Sequence, residues 1–164
     1  MTNRYKLRQR LISLGDDFTI EDEHGRAAYT VDNKLLRIRD TFVITDRAGN
    51  EVATIRERLV ALRETLNVLR GGETIAVIRK AWFAPFRDKF VIDVKNGGDL
   101  VAQGNLLDHE YDIRRGREVI AHVSKRWFTL RDTYGITINS GEDEGLILAI
   151  AVAIDEMVHD ETEE

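Results

Sequence analysis

Apolar and polar residues alternate within short segments of this chain, and the segments recur at a regular spacing. DDFTIEDEHG, DTFVITDRAG and DKFVIDVKNG each place an acidic residue two positions before a phenylalanine, an isoleucine two positions after it, and a glycine further on. The phenylalanines fall on a spacing of 24 residues if Leu66 fills the slot between the second and the third, and Tyr111 and Tyr134 begin two further copies. Alternation with a period of two is typical of strands with one buried face, so we predict six strands of this type.

A second element recurs between these strands. Each copy begins with β-branched or apolar residues, continues with basic or polar residues and ends with two apolar residues, as in TIRERLV, VIRKAWF and HVSKRWF. Its six copies end in the apolar pairs Leu11-Ile12, Leu35-Leu36, Leu59-Val60, Trp82-Phe83, Leu106-Leu107 and Trp127-Phe128. Glycines separate the copies where hairpin turns need a positive φ. The chain therefore reads as twelve strands joined in antiparallel hairpins.

The segment GLILAIAVAI at 145–154 has no polar face, and a helix that is apolar all round is buried. Ten residues of helix reach only about 15 Å, whereas a membrane span needs about 20 residues, so we do not expect a transmembrane anchor. Ser140 or Asp143 can cap this helix. Glu142, Asp143 and Glu144 suit the positive end of its dipole.

Twelve strands in an open sheet would expose two edges, whereas a closed barrel exposes none. A barrel of this size has an interior that must be filled. We therefore predict a mainly β (α+β) fold: a closed 12-stranded antiparallel β-barrel of six hairpin-like repeats around a central buried helix at about 142–158. A single domain is expected over 1–159, followed by an acidic tail at 160–164.

Composition narrows the range of functions. The net charge of −5 argues against general nucleic-acid binding, and the absence of cysteine excludes disulfides, thiolate zinc sites and thiol catalysis. The first 15 residues alternate charged and apolar positions and do not resemble a signal peptide, so a cytoplasmic location is expected, with peripheral membrane association left open.

Three segments resemble the LURP-one-related family: RLISLGDDFTIEDEHG, DHEYDIRRGREVIAHVSKRWFTLRDTYGITI and EDEGLILAIAVAIDEM. With the repeat between them, the resemblance covers nearly the whole chain. It implies the Tubby C-terminal-like fold, a twelve-stranded barrel around a central hydrophobic helix. Within that superfamily, Tubby proteins bind phosphoinositide head groups and phospholipid scramblases interact with membranes, but their binding motifs do not align with this chain.

Basic residues occupy equivalent places in the second element, so the barrel should bring them to one rim. We take six of them as candidate ligands for anionic groups: Arg56, Arg58, Arg79, Lys80, Lys125 and Arg126. Arg8 and Arg10 occupy the same place in the first copy. Such a band could hold phosphate oxygens or rest on an anionic membrane. The competing interpretation is that these are solvated strand faces that discourage aggregation.

No pattern of catalytic or metal-binding residues is apparent. DHE at 108–110 would alternate faces in a strand, so Asp108 and Glu110 could share a side without His109. We predict no metal, no cofactor and no enzymatic activity. The expected function is a binding or scaffold module, for anionic lipid head groups or phosphorylated ligands. A protein-interaction or oligomerising module with rim aromatics such as Trp82 and Trp127 is the alternative.

Overall fold

A computed structural model describes residues 2–8, 17–33, 41–57, 65–81, 88–127 and 133–163. Within them, twelve strands form one closed antiparallel barrel in which each strand pairs with its neighbours in sequence and β1 closes the ring against β12. The elements are β1 (Thr2–Arg8), β2 (Phe18–Asp22), β3 (Ala27–Asn33), β4 (Thr41–Asp46), β5 (Glu51–Glu57), β6 (Thr65–Arg70), β7 (Glu73–Lys80), β8 (Asp88–Val94), β9 (Leu100–Asn105), β10 (Glu110–Arg115), β11 (Glu118–Ser124), β12 (Thr133–Asn139) and the helix α1 (Glu144–Glu163).

The predicted fold class is confirmed, and the helix packs where the sequence pattern placed it. Every residue from Leu146 to Asp155 is buried, and the apolar ones join the inward side chains of the strands in one core. Ala149, Ala151 and Ala153 keep the helix narrow enough to fit between the walls. No helix within the described ranges has the length and apolar character that crossing a membrane requires.

The second type of strand lies earlier in the sequence than its pattern predicted. The pattern TIRERLV predicts a strand at 54–60, whereas the strand spans Glu51–Glu57. In β9 the reason is visible: the Asn105 side chain bonds both the backbone N–H and the carboxylate of Asp108, and this turns the chain. Leu106 is therefore buried within a turn, and Leu107 is exposed there. The pairs Leu11-Ile12, Leu35-Leu36, Leu59-Val60 and Trp82-Phe83 and the residue Phe128 lie outside the described residues.

A β-bulge interrupts the alternation that the sequence suggests for Val119, Ala121 and Val123. The register between β10 and β11 shifts after Ile113, so Ile113 pairs with Ala121 but Arg114 pairs with Val119. Ile120 and Ala121 are consequently both buried, and Val119 leaves the inner row. A bulge of this kind puts two residues of one strand opposite one residue of its partner.

The two ends of the barrel differ in their connections. At the helix-start end, short turns join each even-numbered strand to the next odd one, and α1 begins there after β12. Gly116 in one of these turns has a φ of 60°, which glycine adopts without strain. The far end has the connections that follow odd-numbered strands, including the turn at 106–109 and residues 125–127 after β11.

Candidate functional site

The first turn of α1 is fastened to the barrel by two arginines. Arg70 makes a bidentate ion pair with Asp143 at 2.8 and 2.9 Å, and Arg115 makes another with Glu142 at 3.0 and 2.8 Å. Asp143 also accepts the backbone N–H of Leu146 at 3.1 Å, so Asp143 is the residue that caps the helix. Hydrogen bonds from Arg70 lower the pKa of Asp143. These carboxylates hold the helix in place.

Glu144 is held by the opposite wall. Its Oε2 accepts the hydroxyls of Tyr5 at 2.6 Å and Tyr29 at 3.2 Å, and its Oε1 accepts the amide of Asn3. Burial raises the pKa of Tyr5 and Tyr29, and the neighbouring Glu144 raises both further, so each hydroxyl keeps its proton. All three acidic residues before the apolar run thus bind the barrel itself.

A buried polar cluster lies deeper inside the barrel. The His109 Nε2 and Asp155 Oδ1 atoms are 2.6 Å apart, and both side chains are 3% exposed. Tyr134 donates its hydroxyl to Asp155 Oδ2 at 3.5 Å, and its ring lies 4.3 Å from the imidazole. Burial raises the pKa of Tyr134 well above its ordinary value.

The structure corrects the assumption that His109 belongs to a strand. It ends the turn at 106–109 and has a φ of 51°, which directs its ring into the barrel. Asp108 is exposed, whereas Glu110 lies on the outer wall in β10. Because the side chains of His109 and Asp155 are both 3% exposed, the pair offers no route for a substrate.

A second polar cluster on the outer wall joins β10 to β11. The His122 Nδ1 and Asp112 Oδ1 atoms are 2.6 Å apart, and Ser124 donates its hydroxyl to Glu110. Ser124 is buried and bonds a carboxylate instead of the imidazole, so this is not a serine–histidine nucleophile pair. In the described part of the chain, no three His, Asp or Glu side chains are grouped so that they could hold a metal ion.

The outer-wall cluster of Glu110, Asp112, His122 and Ser124 is not among the sequence predictions. Residues 110, 112, 122 and 124 alternate with the inward residues of two strands, so the sequence pattern alone could have placed them on the outer face. Their pairing depends on the register across the β10–β11 hairpin, which places Asp112 opposite His122.

Trp127 extends this cluster at the far end. Its ring makes an edge contact with His122 at 5.8 Å between centroids, and the Arg4 guanidinium lies 5.2 Å from its centre. Even so, 38% of Trp127 remains exposed. The contact between Arg4 and the indole is a cation–π pair across β12.

The candidate cations that the structure describes lie at the far end. Arg56 and Arg79 lie near the ends of β5 and β7 and face outward, because Ile55 and Ile78 beside them face the core. Lys80 ends β7, and Lys125 and Arg126 follow β11, whereas Arg58 lies outside the described residues.

These cations are spread around the rim and do not converge on one point. One strand separates β5 from β7, and three separate β7 from β11. At about 4.8 Å per strand, those separations are about 10 and 19 Å. Arg79 pairs with Asp93, and the Arg126 Nε lies 3.7 Å from Glu110.

Two shallow cavities open on the surface. One, of about 330 Å³, lies on the outer wall and includes one predicted cation among its lining residues: Val43, Glu51, Thr54, Arg56, Leu69 and Gly72. The other, of about 380 Å³, lies at the helix-start end beside Tyr5 and Tyr29. Its carboxylate Asp22 accepts the backbone N–H of Arg26, which lowers the pKa of that carboxyl, and it also pairs with Arg47.

Comparison with known proteins places the chain in a family. The family model described as LURP-one-related matches residues 3–155. The Uncharacterized protein YxjI of Bacillus subtilis (strain 168) is 32% identical over 95 residues, which are 57% of this chain and 56% of that protein. The chain therefore spans about half the length of this relative. The X-ray structure of the Arabidopsis thaliana protein AT5G01750 superposes with a TM-score of 0.70 at 17% identity, covering 95% of this chain and 91% of that one.

Proposed function

The chain belongs to the LURP-one-related family, and on that premise we propose that it is a non-enzymatic binding module whose far end recognises anionic, phosphate-bearing groups. The observation behind this proposal is the position of Arg56, Arg79, Lys80, Lys125 and Arg126 at one end of the barrel. Lipid head groups and phosphorylated small molecules present the same chemistry to such residues.

The start of α1 does not compete for these cations, because Glu142 and Asp143 lie at the opposite end and are already paired with arginines. The same helix runs toward the far end and carries Glu156 and the acidic segment after it to the side of the cations. Lys125 and Arg126 are adjacent in sequence and lie where β11 leaves the wall. Phosphate oxygens accept charge-assisted hydrogen bonds from such side chains.

The lack of enzymatic activity is also part of the proposal. A catalytic site needs titratable groups that converge in a space that a substrate can reach. The His109–Asp155 pair is buried, and in the outer-wall cluster His122 pairs with Asp112 while Ser124 bonds Glu110. The apolar residues of α1 fill the interior.

A second candidate function is supported by the exposed parts of Leu107 and Trp127, which belong to far-end connections. Exposed aromatic residues are enriched at protein interfaces. A protein-interaction or oligomerising role would use the same end of the barrel through apolar contacts.

Binding of soluble polyanions tests the first proposal. We expect tripolyphosphate to bind at low salt and to dissociate as the ionic strength rises. The variant Lys125→Gln/Arg126→Gln should lose at least about tenfold in affinity by calorimetry, since each basic group contributes about fivefold near an anionic surface.

The matched control removes two positive charges from the helix-start end, as Lys95→Gln/Arg117→Gln. This control should change the affinity by less than about twofold if the far end forms the site. Equal losses in both variants would mean that only net charge matters. No binding to the wild-type protein at low salt would contradict the proposal.

A further inference from the structure

We infer that the shallow cavity of about 330 Å³ on the outer wall binds a small zwitterion with an aliphatic side chain, of the class of a free aliphatic α-amino acid. In this arrangement Arg56 holds the carboxylate, Glu51 holds the ammonium group, and the aliphatic side chain lies on Val43 and Leu69. The inference goes beyond the proposed function, because it shares only Arg56 with the proposed cations and uses none of the far-end connections.

The floor of the cavity is a row of three outward side chains on β4, β5 and β6. The strand register places Val43 opposite Thr54 and Thr54 opposite Leu69, so neighbouring side chains of the row are about 5 Å apart. Ala53 and Ile55 flank Thr54 and belong to the core, so Thr54 and its two partners point outward. Leu69 is only 7% exposed although it lies outside the core cluster. The wall therefore carries an apolar recess that α1 does not fill.

A β-bulge brings Glu51 to one end of this row. The register between β4 and β5 shifts beside Glu51. Val52 and Ala53 consequently both pack on the core side, and Glu51 shares the outer face with Thr54. Thr54 donates its hydroxyl to Glu51 Oε1 at 2.5 Å, which fixes the carboxylate at the edge of the cavity.

Arg56 lies at the other end of the row. It is two residues beyond Thr54 on the same face of β5, and it is partly buried. Among the residues that the structure describes, Arg56 forms neither an ion pair nor a hydrogen bond, whereas Arg70 and Arg79 each pair with a carboxylate. A partly buried guanidinium with all five N–H groups available favours a bound carboxylate, which can accept two of them.

The two charges favour a zwitterion over a phosphate. A phosphate dianion beside Arg56 would also approach the Glu51 carboxylate, and like charges within one small cavity repel each other. Thr54, whose hydroxyl contacts Glu51, is about 7 Å from Arg56 along β5, so one small molecule can reach both charged groups. An α-amino acid carries its ammonium group and its carboxylate on a single carbon and can therefore satisfy both ends.

The size of the cavity sets the size of the ligand. Ligand sites range from about 300 to about 1,000 Å³, so a space of about 330 Å³ suits a molecule as small as an amino acid. Gly72 lines one side, and the space beside its Cα is open. An aliphatic side chain can enter there and cover Val43 and Leu69.

Titration of the full chain with L-leucine, followed by proton–nitrogen correlation NMR, tests the inference. We expect the amide signals of β4, β5 and β6 to shift and to saturate in the millimolar range. Isocaproate lacks the ammonium group and L-leucinamide lacks the carboxylate. Each should bind at least about tenfold more weakly than L-leucine, because each loses the hydrogen bonds of one charged group.

Two substitutions test the orientation of the ligand. Arg56→Gln should weaken L-leucine binding at least about tenfold and leave L-leucinamide binding nearly unchanged, because the amide has no carboxylate to lose. Glu51→Gln should weaken L-leucine binding by a similar factor and leave isocaproate binding nearly unchanged. Its amide oxygen still accepts the Thr54 hydroxyl, so the recess keeps its shape.

Arg79→Gln is the matched control. Arg79 is an outward arginine on β7 that is already paired with Asp93 and does not line the cavity. Its replacement should change the affinity for L-leucine by less than about twofold. The comparison of the three ligands on the wild-type chain provides the test even if a variant fails to fold.

The outcomes separate this inference from the proposed function. The absence of saturable shifts with L-leucine, equal affinity for L-leucinamide, or unchanged L-leucine binding by Arg56→Gln each overturns the inference. Tripolyphosphate binding that Lys125→Gln/Arg126→Gln weakens still supports the far-end site in those cases. Shifts at Val43 and Leu69 with tripolyphosphate and none with L-leucine assign the cavity to a phosphate and also overturn it. Saturable L-leucine binding without tripolyphosphate binding supports the cavity site and contradicts the proposed function.

Discussion

At the scale of single residues, the pairing of His109 with Asp155 is the feature whose removal should cost the most. Both side chains are 3% exposed, and a buried carboxylate that loses its partner is destabilising by about 3–5 kcal/mol. We expect His109→Asn to lower the free energy of unfolding by about that amount, because asparagine tolerates the φ of 51° but is too short to reach Asp155. Guanidinium denaturation measures the change.

Two comparisons make this result specific to the pair. His24→Asn makes the same change in a turn where the histidine side chain is 65% exposed, and should alter stability by less than about 0.5 kcal/mol. Asp155→Asn should cost less than His109→Asn, because its amide oxygen still accepts a bond and no buried charge remains. A loss for His109→Asn no greater than that for His24→Asn would refute a stabilising role.

The sequence contained part of this information. Asp155 is the first charged residue after the apolar run of the helix, which marks it as a carboxylate that needs a partner. Its partner lies 46 residues away in the sequence and depends on a left-handed backbone conformation. The alternation rules for strands do not describe such a position, and they led to a wrong local assignment for His109.

At the scale of elements, the start of α1 depends on Asp143, which both caps the helix and pairs with Arg70. Asparagine caps about as well as aspartate. At neutral pH we expect Asp143→Asn to cost about 0.5–1 kcal/mol, a value reduced because the side chains of the pair are 40% and 44% exposed. Asp143→Ala should cost about 1 kcal/mol more, since it also removes the cap.

The dependence of this effect on pH has a defined sign. The folded-state pKa of Asp143 is lowered, so its contribution is complete above the unfolded value of about 3.9 and is lost as the pH falls through the folded value. The stability difference between the wild type and Asp143→Asn should therefore shrink between about pH 5 and pH 2. Thermal denaturation across that range measures it, and a difference that grows on acidification would show that the ion pair is not its cause.

The periodic pattern of the sequence located one type of strand better than the other. Phe18, Phe42 and Phe90 belong to strands that the alternation located correctly, because one apolar side chain in two must face α1. The second type of strand was predicted a few residues too far along the sequence, because its apolar pairs were assigned to strands. Leu106 and Leu107, one of these pairs, lie in a turn. The repeat also placed the basic residues at one end, but it could not indicate that Arg79 pairs with Asp93.

At the scale of the whole molecule, the barrel and its helix depend on each other. The inward residues of the strands and the apolar residues of α1 between Leu146 and Val158 form one core, so neither part can bury its apolar surface alone. Removing residues 142–164 would expose the inner face of the sheet and delete the ion pairs of Arg70 and Arg115. We expect the remaining chain, ending at Gly141, to show no cooperative melting transition and to aggregate.

A shorter deletion provides the control for that truncation. A chain that ends at His159 keeps Asp155 and Met157, which are buried, and loses only the terminal acidic segment. It should melt cooperatively within a few degrees of the full chain, since residues beyond the packed core contribute little. Calorimetry and analytical ultracentrifugation distinguish the two truncations. A monomeric chain ending at Gly141 with a cooperative transition would mean that the strands form a stable core without the helix.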